Sequence, residues 1–396
     1  MSYFSIPCNN NNFKRDDLYI NSSNDYDKKS LYYISTTLNN YILKSKSRIE
    51  EYQNDWDIIK KYINPYEFIH TVVPHCKTSV CKYKPVSRSY FKFVEINYLL
   101  NLTESFPINT NINTFHLAEG PGGFIEALAN IRKNKNDSYT GMTLLSEDNN
   151  VPGWKKSQEI LKKNPNIYIE RGETEDGDIL VPENFLFCQK KYGNSMNIIT
   201  ADGGFDFSID FNMQEAMSSK LILAEAIYAI SLQKRGGHFI LKIFDNFTRF
   251  TCELIYLLSM FYERVYIVKP NTSRYANSER YIVCKNFKYH DTSGIKDTLS
   301  IVLEKIKDHK YINHLFRFDL PYIFTTRLEE INAILGQQQI ECIVNTLNLI
   351  NNKNKNDKLE QLKNSHINKS TNWCIKHKQP YYKTIQQNNI FLSANN

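Results

Sequence analysis

Residues 114–124, TFHLAEGPGGF, form the stretch that decides the fold. An apolar run typical of a buried strand leads directly into a glycine-rich turn, and a helical pattern begins at Gly123. Such glycines let the backbone approach a ligand, whose polar end then meets free N–H groups at the helix terminus. The spacing is neither GxGxxG nor that of a P-loop, which disfavours a pyrophosphate or triphosphate ligand. A tight turn without any ligand is the competing interpretation.

Short apolar runs alternate with helical patterns after this turn. The alternation favours an α/β fold with a mostly parallel sheet and helices on both faces. The last two strands are joined by residues 269–280, too few for a helix, so we expect an antiparallel hairpin at the sheet edge. The predicted strands are residues 114–118, 139–144, 167–170, 196–201, 238–243, 265–268 and 281–284. The predicted helices are residues 123–133, 154–163, 183–191, 214–233 and 248–262.

Composition divides the chain into three regions. Residues 1–85 predict an N-terminal arm and a helical extension, in which the polar, asparagine-rich residues 1–30 are a flexible or lightly tethered arm. Residues 86–290 form the predicted α/β domain. Residues 291–396 predict a helical C-terminal extension, interrupted at 351–357 by a low-complexity linker of asparagine and lysine.

The overall charge permits a polyanionic partner without requiring one. Lys and Arg number 49 and Asp and Glu 42, which gives a net charge of +7 and a pI of about 8.7. No run approaches the ~18 apolar residues of a membrane span, and the N-terminus lacks the apolar core of a secretory signal. We therefore expect an intracellular, soluble protein without a membrane partner.

The eight cysteines do not show the paired CxxC spacing of a zinc ribbon. Fragments that could hold part of a metal site are His75-Cys76 with Cys81, and Cys374 with His377. Ordinary buried or surface residues are the commoner explanation, so we predict reduced thiols and no metal.

Three polar residues stand where predicted strands begin or end. Asp202 follows an apolar strand, Lys242 is embedded in the run FILKIF, and Glu279 immediately precedes the last strand. Ligands bind at the carboxyl ends of parallel strands, and an antiparallel strand begins at that same edge, so these residues should converge with Gly122. A lysine within an apolar strand needs a charged partner. A purely structural salt-bridge cluster is the alternative to a functional site.

Five motifs in order resemble the FtsJ/RrmJ family of ribose 2′-O-methyltransferases. They are SRSYFKFVEI (87–96), EGPGGF (119–124), DGG (202–204), ILKIF (240–244) and SRYANSERY (273–281). The further motifs HLAE (116–119), GMTL (141–144) and DGDI (176–179) are similar to the cap-methylating branch. That branch is related to the fly Adrift protein and to proteins of large DNA viruses. The resemblance covers residues 86–290 and implies a Rossmann-like methyltransferase sheet.

The resemblance also implies specific site residues. The family's catalytic Lys-Asp-Lys-Glu tetrad matches Lys92, Asp202, Lys242 and Glu279. The residues expected to bind S-adenosylmethionine are Glu119, Gly120, Pro121, Gly122, Gly123, Phe124, Thr143, Asp176, Asp178 and Asp202. Expected RNA contacts are Arg88, Lys92, Asn246 and Arg274, with Phe205 and Asp245 on the same edge.

One departure from the family leaves the ribose of the cofactor without an assigned acid. After the second strand this chain has Thr143-Leu144 where other members place an acid. Asp148, Asp176 and Asp178 are the candidates, and helix capping is the alternative role for the last two.

The expected reaction is methyl transfer to an RNA ribose 2′-hydroxyl, at the cap-proximal nucleotide of mRNA. A ribosomal or transfer RNA ribose methyltransferase, and an inactive RNA-binding module of the same fold, remain alternatives. Lys242 is expected either to take the hydroxyl proton or to act as a cationic positioner. Expected partners are the capped 5′ end of mRNA and a protein docking on one of the extensions. Expected locations are the cytoplasm or virion if the source is viral, and also the nucleus if it is cellular.

Overall fold

The computed structural model describes residues 2–8, 13–25, 32–146, 153–204, 211–352 and 355–385. Its strands are β1 (Ser2–Ile6), β2 (Leu18–Ser23), β3 (Asn113–Leu117), β4 (Ser138–Met142), β5 (Ile167–Ile169), β6 (Met196–Ala201), β7 (Gln233–Phe244), β8 (Tyr262–Lys269), β9 (Glu279–Phe287) and β10 (Tyr311–Phe316). Within these ranges eight strands form one sheet in the order β1-β8-β9-β7-β6-β3-β4-β5, and β2 pairs with β10 in a second sheet.

The strand directions bring several chain ends to one edge of the large sheet. Strands β3 to β7 run parallel, whereas β9 is antiparallel to both β7 and β8. Leu117 pairs with Ala201, Ala201 with Leu241, and Phe244 with Glu279. The carboxyl ends of β3, β6 and β7 therefore meet the start of β9. The predicted α/β fold, a mostly parallel sheet with an antiparallel last strand, is confirmed.

Helices cover both faces of this sheet because successive strand side chains point to opposite sides. The helices are α1 (Thr36–Ser47), α2 (Gln53–Ile63), α3 (Ser89–Leu100), α4 (Gly123–Arg132), α5 (Gln158–Lys163), α6 (Pro182–Tyr192), α7 (Gln214–Met217), α8 (Ser219–Leu232), α9 (Arg249–Phe261), α10 (Ser293–Ile306), α11 (Tyr322–Asn351) and α12 (Lys355–Lys376). Ile198 and Ile240 pack with α3, α4 and α5, whereas Ile199 and Leu241 pack with α6, α8 and α9 on the other face. None of the helices in the described ranges is long and apolar enough to cross a membrane.

The flexible arm predicted over residues 1–30 is wrong for β1 and β2. Strand β1 pairs antiparallel with β8, from Ser2 opposite Lys269 to Ile6 opposite Val265, and Ile6 is buried. An edge strand presents unpaired N–H and C=O groups, which even a largely polar segment can satisfy. The predicted antiparallel hairpin of the last two strands is confirmed as β8 and β9, but its predicted position at the sheet edge is wrong, because β1 pairs with β8 and forms that edge.

The C-terminal extension packs against the N-terminal one and against the sheet. Helix α11 lies along α1, α2 and β1, and Trp373 of α12 contacts Phe91 of α3 with ring centroids 5.8 Å apart. The region is not purely helical, since β10 belongs to it. The linker predicted at 351–357 is shorter in the structure, because Asn351 ends α11 and residues 355–357 already belong to α12. The division into domains at residues 85 and 290 stays a prediction.

Candidate active site

The glycine turn connects β3 to α4 at the carboxyl edge of the sheet. Gly122 has a φ of 93° and stands at the N-cap of α4, a conformation that L side chains rarely adopt. A Cβ at Gly123 would lie 2.1 Å from the Oγ of Ser89, because the start of α3 packs directly against the start of α4. The turn thus requires glycine both for its backbone conformation and for close helix packing.

Glu119 holds this turn from the inside. Its buried carboxylate accepts hydrogen bonds from the backbone N–H groups of Phe124 and Ile125 and from the Thr200 hydroxyl, the last at 2.7 Å. The His116 Nδ1 lies 3.2 Å from the same carboxylate. A carboxylate at a helix N-terminus satisfies otherwise unpaired N–H groups. The side chain predicted to contact a cofactor is therefore used to anchor the first turn of α4.

The loops after β4 and β5 meet beside the glycine turn. The Leu145 N–H donates to the Asp176 carbonyl at 2.7 Å, and a Cβ at Gly177 would lie 2.2 Å from the Thr143 carbonyl oxygen. The structure therefore brings Thr143 next to the 176–178 turn, as a shared ligand-binding role requires. The third ribose candidate, Asp148, and the RNA candidate Phe205 lie outside the described residues.

Both carboxylates of this turn also serve it locally. The Oδ1 of Asp176 accepts from the Asp178 N–H at 2.9 Å and from the Asn184 side chain at 2.8 Å, and the Oδ1 of Asp178 accepts from the Leu180 N–H at 2.9 Å. Burial opposes ionisation of Asp176, but these hydrogen bonds outweigh it and lower its pKa. Burial raises the pKa of Asp178. One oxygen of each residue therefore stabilises the turn itself, whereas the predicted helix-capping role is wrong, because the N-cap of α6 is Val181 and no side chain caps this helix.

Trp154 lies against two glycines of this region and was not predicted from the sequence. A Cβ at Gly141 would lie 2.5 Å from its ring, and a Cβ at Gly122 would lie 3.0 Å from it. Its indole N–H is buried without a hydrogen-bonding partner among the described residues. A glycine inside a strand often marks such a close approach, so Gly141 was the available signal.

Lys92 and Glu279 form the first ion pair of the tetrad. The Lys92 Nζ lies 2.7 Å from Glu279 Oε2, and the Ser273 hydroxyl donates to the other carboxylate oxygen at 2.8 Å. Burial opposes ionisation of Glu279, but the charges of Lys92 and Lys242 outweigh it and hold the pKa well below its usual range. Burial lowers the pKa of Lys92, against the opposing effect of Glu279 and Asp202.

Lys242 and Asp202 form the second pair. The Lys242 Nζ donates to the Asp202 carbonyl at 2.7 Å and lies 3.4 Å from Asp202 Oδ1. The Tyr281 hydroxyl donates to the same Oδ1 at 2.9 Å. Both charged side chains are only 11% exposed. All four predicted tetrad residues thus lie at one edge of the sheet, whereas the contribution of Tyr281 was not predicted.

Lys269 is a further buried cation at this edge that the sequence analysis missed. Its Nζ donates to the Glu279 carbonyl at 2.6 Å and to the Asn277 carbonyl. Burial lowers the pKa of Lys269 to about 7. Its hydrogen bonds tie the end of β8 to the loop that precedes β9, so it fixes the backbone of Glu279.

Two of the predicted RNA-binding residues are occupied by other contacts. Arg274 forks onto the buried carboxylate of Glu67, with its Nε 2.9 Å from Oε2. Asn246 is fully buried, and its Oδ1 accepts from Arg280. Residues distant in sequence therefore already engage both side chains, and an RNA-binding role for either of them stays a prediction.

Two further RNA candidates, Asp245 and Arg88, have different surroundings. Asp245 pairs with Arg280 at 3.0 Å and is nearly buried. Arg88 is half-buried just before α3 and contributes to holding the Glu279 carboxylate ionised. Of the predicted RNA contacts, Arg88 and Lys92 are thus the ones placed beside the tetrad.

A groove opens from the tetrad towards the N-terminal helices. It has a volume of about 800 Å³ and runs between α1, α2 and the loop before β9. Lys46, Lys60 and Trp56 line its outer part, while Phe244 and Glu279 line its inner end. The groove therefore connects cations and an aromatic ring to the catalytic edge.

The predicted metal fragments do not assemble into a site in the described part of the chain. No group of three or more His, Cys, Asp or Glu side chains there could hold a metal ion. All eight cysteines are free thiols, and Cys81 and Cys374 are buried.

Comparison with known proteins agrees with this geometry. The family model described as FtsJ-like methyltransferase matches residues 85–287, just over half of the chain. The cap-specific mRNA (nucleoside-2′-O-)-methyltransferase 1 of Homo sapiens is 39% identical over 224 residues, covering 50% of this chain and 26% of that protein. The Bos taurus protein of the same name is 40% identical with the same coverage. That of Dictyostelium discoideum is 30% identical over 310 residues, covering 73% of this chain and 39% of that protein.

The match extends from α3 to the end of β9 and so contains the glycine turn and all four tetrad residues. This chain spans about a quarter of the length of the mammalian relatives named above. Because the family match covers more than half of the chain, the chain belongs to the FtsJ-like methyltransferase family.

Proposed function

We propose that this protein transfers a methyl group from S-adenosylmethionine to the ribose 2′-hydroxyl of the cap-proximal nucleotide of mRNA. The observation that carries the proposal is the convergence of Lys92, Asp202, Lys242 and Glu279 beside the glycine turn. The cap preference is supported by the relatives, which are cap-specific mRNA (nucleoside-2′-O-)-methyltransferases.

The residues at the carboxyl edge fit S-adenosylmethionine. Positions 122 and 123 have no room for a side chain, and the backbone from Gly120 to Gly123 would receive the methionine end of the cofactor. Asp176 is partly exposed, and its carboxylate could accept hydrogen bonds from ribose hydroxyls or the adenine amine. When bound there, the cofactor supplies a methyl group activated on a sulfonium.

Lys242 is the residue that we assign to the attacking hydroxyl. Its ammonium nitrogen is held by the Asp202 carbonyl and carboxylate, while Lys92 supplies a second cation at the same edge. A lysine that accepts a proton at neutral pH needs burial or a neighbouring cation to favour its neutral form. Asp202 and Glu279 favour the charged form instead, so base and cationic positioner both remain open as roles. In either role Lys242 aligns the hydroxyl, which is the main catalytic task when the leaving group is already good.

RNA would enter through the groove between the N-terminal helices and the tetrad. Lys46 and Lys60 provide cations for phosphates, and Trp56 provides a ring at the groove wall. Arg88 lies where the strand would approach Lys92. A protein partner docking on the extensions, the compartment and the viral source stay predictions.

Methyl transfer to defined RNAs tests the proposal. The protein is incubated with radiolabelled S-adenosylmethionine and with capped, uncapped and ribosomal RNA of equal length. We expect label only on capped RNA, in the ribose of the first or second transcribed nucleotide. Label on uncapped ribosomal RNA would instead favour the rRNA methyltransferase alternative. RNA binding without transfer to any substrate would favour the inactive module.

A further inference from the structure

Glu225 of α8 is a buried carboxyl group directly beneath the active-site turn that follows β6. Its exposed fraction is 0%, and neither of its carboxylate oxygens has a hydrogen-bonding partner among the described residues. Its helix is otherwise strongly apolar, with Leu221, Ala224 and Ala226 buried around it. A buried polar group without a partner is destabilising, so we expect Glu225 to have a role other than stabilising the fold.

The contact that Glu225 makes is with the backbone of the tetrad turn. A Cβ at Gly203 would lie 2.3 Å from Glu225 Oε1 and 2.9 Å from the Cβ of Ala118. Gly203 immediately follows Asp202, whose carbonyl accepts from Lys242. The Glu225 carboxyl group therefore supports the turn at the point where the ends of β3 and β6 come together.

The charge state of Glu225 follows from its surroundings. Burial raises its pKa to about 8; Lys242 of β7 and the backbone N–H of Gly203 oppose this effect, and Asp202 at the end of β6 adds to it. At neutral pH the group is therefore mainly a neutral acid. It adds no further negative charge to a cluster in which two lysines already face two carboxylates.

We propose that Glu225 is a positioning residue of this active site, whose buried carboxyl group holds the Asp202–Gly203 turn against Lys242. The proposal rests on the proposed function, because the positions of Asp202 and Lys242 matter only if they carry the transfer. Glu225 acts through these two residues and does not itself touch the reacting atoms.

The neutral form has a consequence at alkaline pH. As the pH rises through about 8, ionised Glu225 would add a negative charge beside Asp202 and Lys242. This charge attracts the Lys242 ammonium and repels the Asp202 carboxylate, which disturbs the pair that the turn holds in place. Wild-type transfer should therefore fall behind that of a variant that cannot ionise at position 225.

The test compares Glu225→Gln, which keeps the shape without the ionisation, with Glu225→Leu, which removes the polar group. Glu183→Gln, at an exposed position on α6, is the matched control. We expect Glu225→Leu to lower kcat about 30-fold or more with unchanged affinity for S-adenosylmethionine, and Glu225→Gln to lose less than about threefold at pH 7. The ratio of kcat for the Gln variant to that of wild type should then rise between pH 7 and 9.5.

Two kinetic results would overturn the proposal. Equal losses in the Gln and Leu variants would mean that a charged carboxylate is required or that the site is merely structural. A kcat ratio that stays constant through pH 8 would mean that Glu225 does not titrate beside the reacting groups.

Thermal unfolding separates failure of this proposal from failure of the proposed function. A carboxyl whose pKa is raised on folding loses stability as the pH rises from its unfolded value, ~4.3, to its folded value. The unfolding temperature of the Gln variant should therefore rise relative to that of wild type between pH 5 and 9, by on the order of 5 °C. A wild type without transfer to any RNA would reject the proposed function, whereas an unchanged difference in unfolding temperature would reject the buried neutral acid.

Discussion

Two sets of buried ion pairs lie at the same edge of the sheet and differ in the cation that they use. The tetrad pairs lysines with carboxylates, Lys92 with Glu279 and Lys242 with Asp202. The second set, here called the arginine locks, pairs Arg274 with Glu67 and Arg280 with Asp245. A lysine is a compact charge that can exchange a proton when buried, whereas an arginine is always charged and binds through a rigid fork.

The two sets also connect different parts of the molecule. The tetrad joins the ends of neighbouring strands and α3, and the inner end of the groove reaches it at Glu279. The arginine locks join the loops of the sheet to the extensions, through Glu67 before α3 and through Asn332 of α11, which accepts from Arg280 at 2.7 Å. We therefore expect the tetrad to control transfer and the locks to control stability.

The largest expected effect is that of Lys242→Ala, which should lower kcat by about 10³-fold because alignment and proton handling are both lost. This corresponds to about 4 kcal/mol. Binding of S-adenosylmethionine by calorimetry should persist. Lys234→Ala, at an exposed position at the other end of β7, is the control and should leave kcat unchanged. Transfer at the wild-type rate by the Lys242 variant would remove the tetrad from the mechanism.

Glu67→Gln should lower the free energy of unfolding by about 3 kcal/mol, because Arg274 loses its charged partner. Its kcat below the unfolding temperature should change less than about threefold. Glu330→Gln breaks an exposed arginine pair and should change the free energy of unfolding by less than about 0.5 kcal/mol. Urea unfolding measures the free energy of unfolding of both variants. A large loss of kcat in the folded Glu67 variant would contradict the assignment of the arginine locks to stability alone.

The stability difference between wild type and the Glu67→Gln variant should depend on pH. Burial opposes ionisation of Glu67, but its bonds to Arg274 outweigh this and lower the pKa to about 2. A depressed pKa gives stability that is present above the unfolded value of ~4.3 and is lost as the pH falls towards 2. The difference in unfolding free energy between wild type and Glu67→Gln should therefore narrow between pH 5 and 3. A constant difference would contradict the assigned pKa.

Arg274→Lys should lower the free energy of unfolding by about 1–2 kcal/mol, since an ammonium cannot reproduce the two-point contact with Glu67. The KM for RNA should remain within about twofold of wild type. A tenfold rise in KM without a change in the urea midpoint would instead support Arg274 as an RNA contact.

The smallest expected effect is that of Lys60→Ala in the groove. Its ammonium already pairs with Asp57 and is one-quarter exposed, so we expect the KM for RNA to rise by about two- to fivefold. The dependence of log KM on log salt should become shallower by about one unit. Lys61→Ala, at the exposed neighbouring position on α2, is the control. Equal effects of both substitutions would mean that the groove is not the RNA path.

The main elements could be predicted because their signals are local. The helix predicted over residues 183–191 is observed at Pro182–Tyr192, and the one predicted over 248–262 is observed at Arg249–Phe261. The antiparallel last strand followed from the shortness of residues 269–280 alone. By contrast, β1 was not predicted, because the five-residue segment SYFSI lies within an asparagine-rich region and becomes a strand only beside the unpaired edge of β8.

The sequence by itself determined the strand-and-turn order and hence the convergence of Gly122, Asp202, Lys242 and Glu279, since parallel strands end at one edge, whereas Lys92 was assigned through the family resemblance. Only the tertiary structure decided which other polar residues face that edge. Arg274 and Asn246 are taken up by Glu67, Arg280 and the helix α11, while Glu225 arrives from a helix with no polar pattern. The reason is physical: a periodic pattern encodes the direction of a side chain within its own element, whereas burial and partners depend on distant segments.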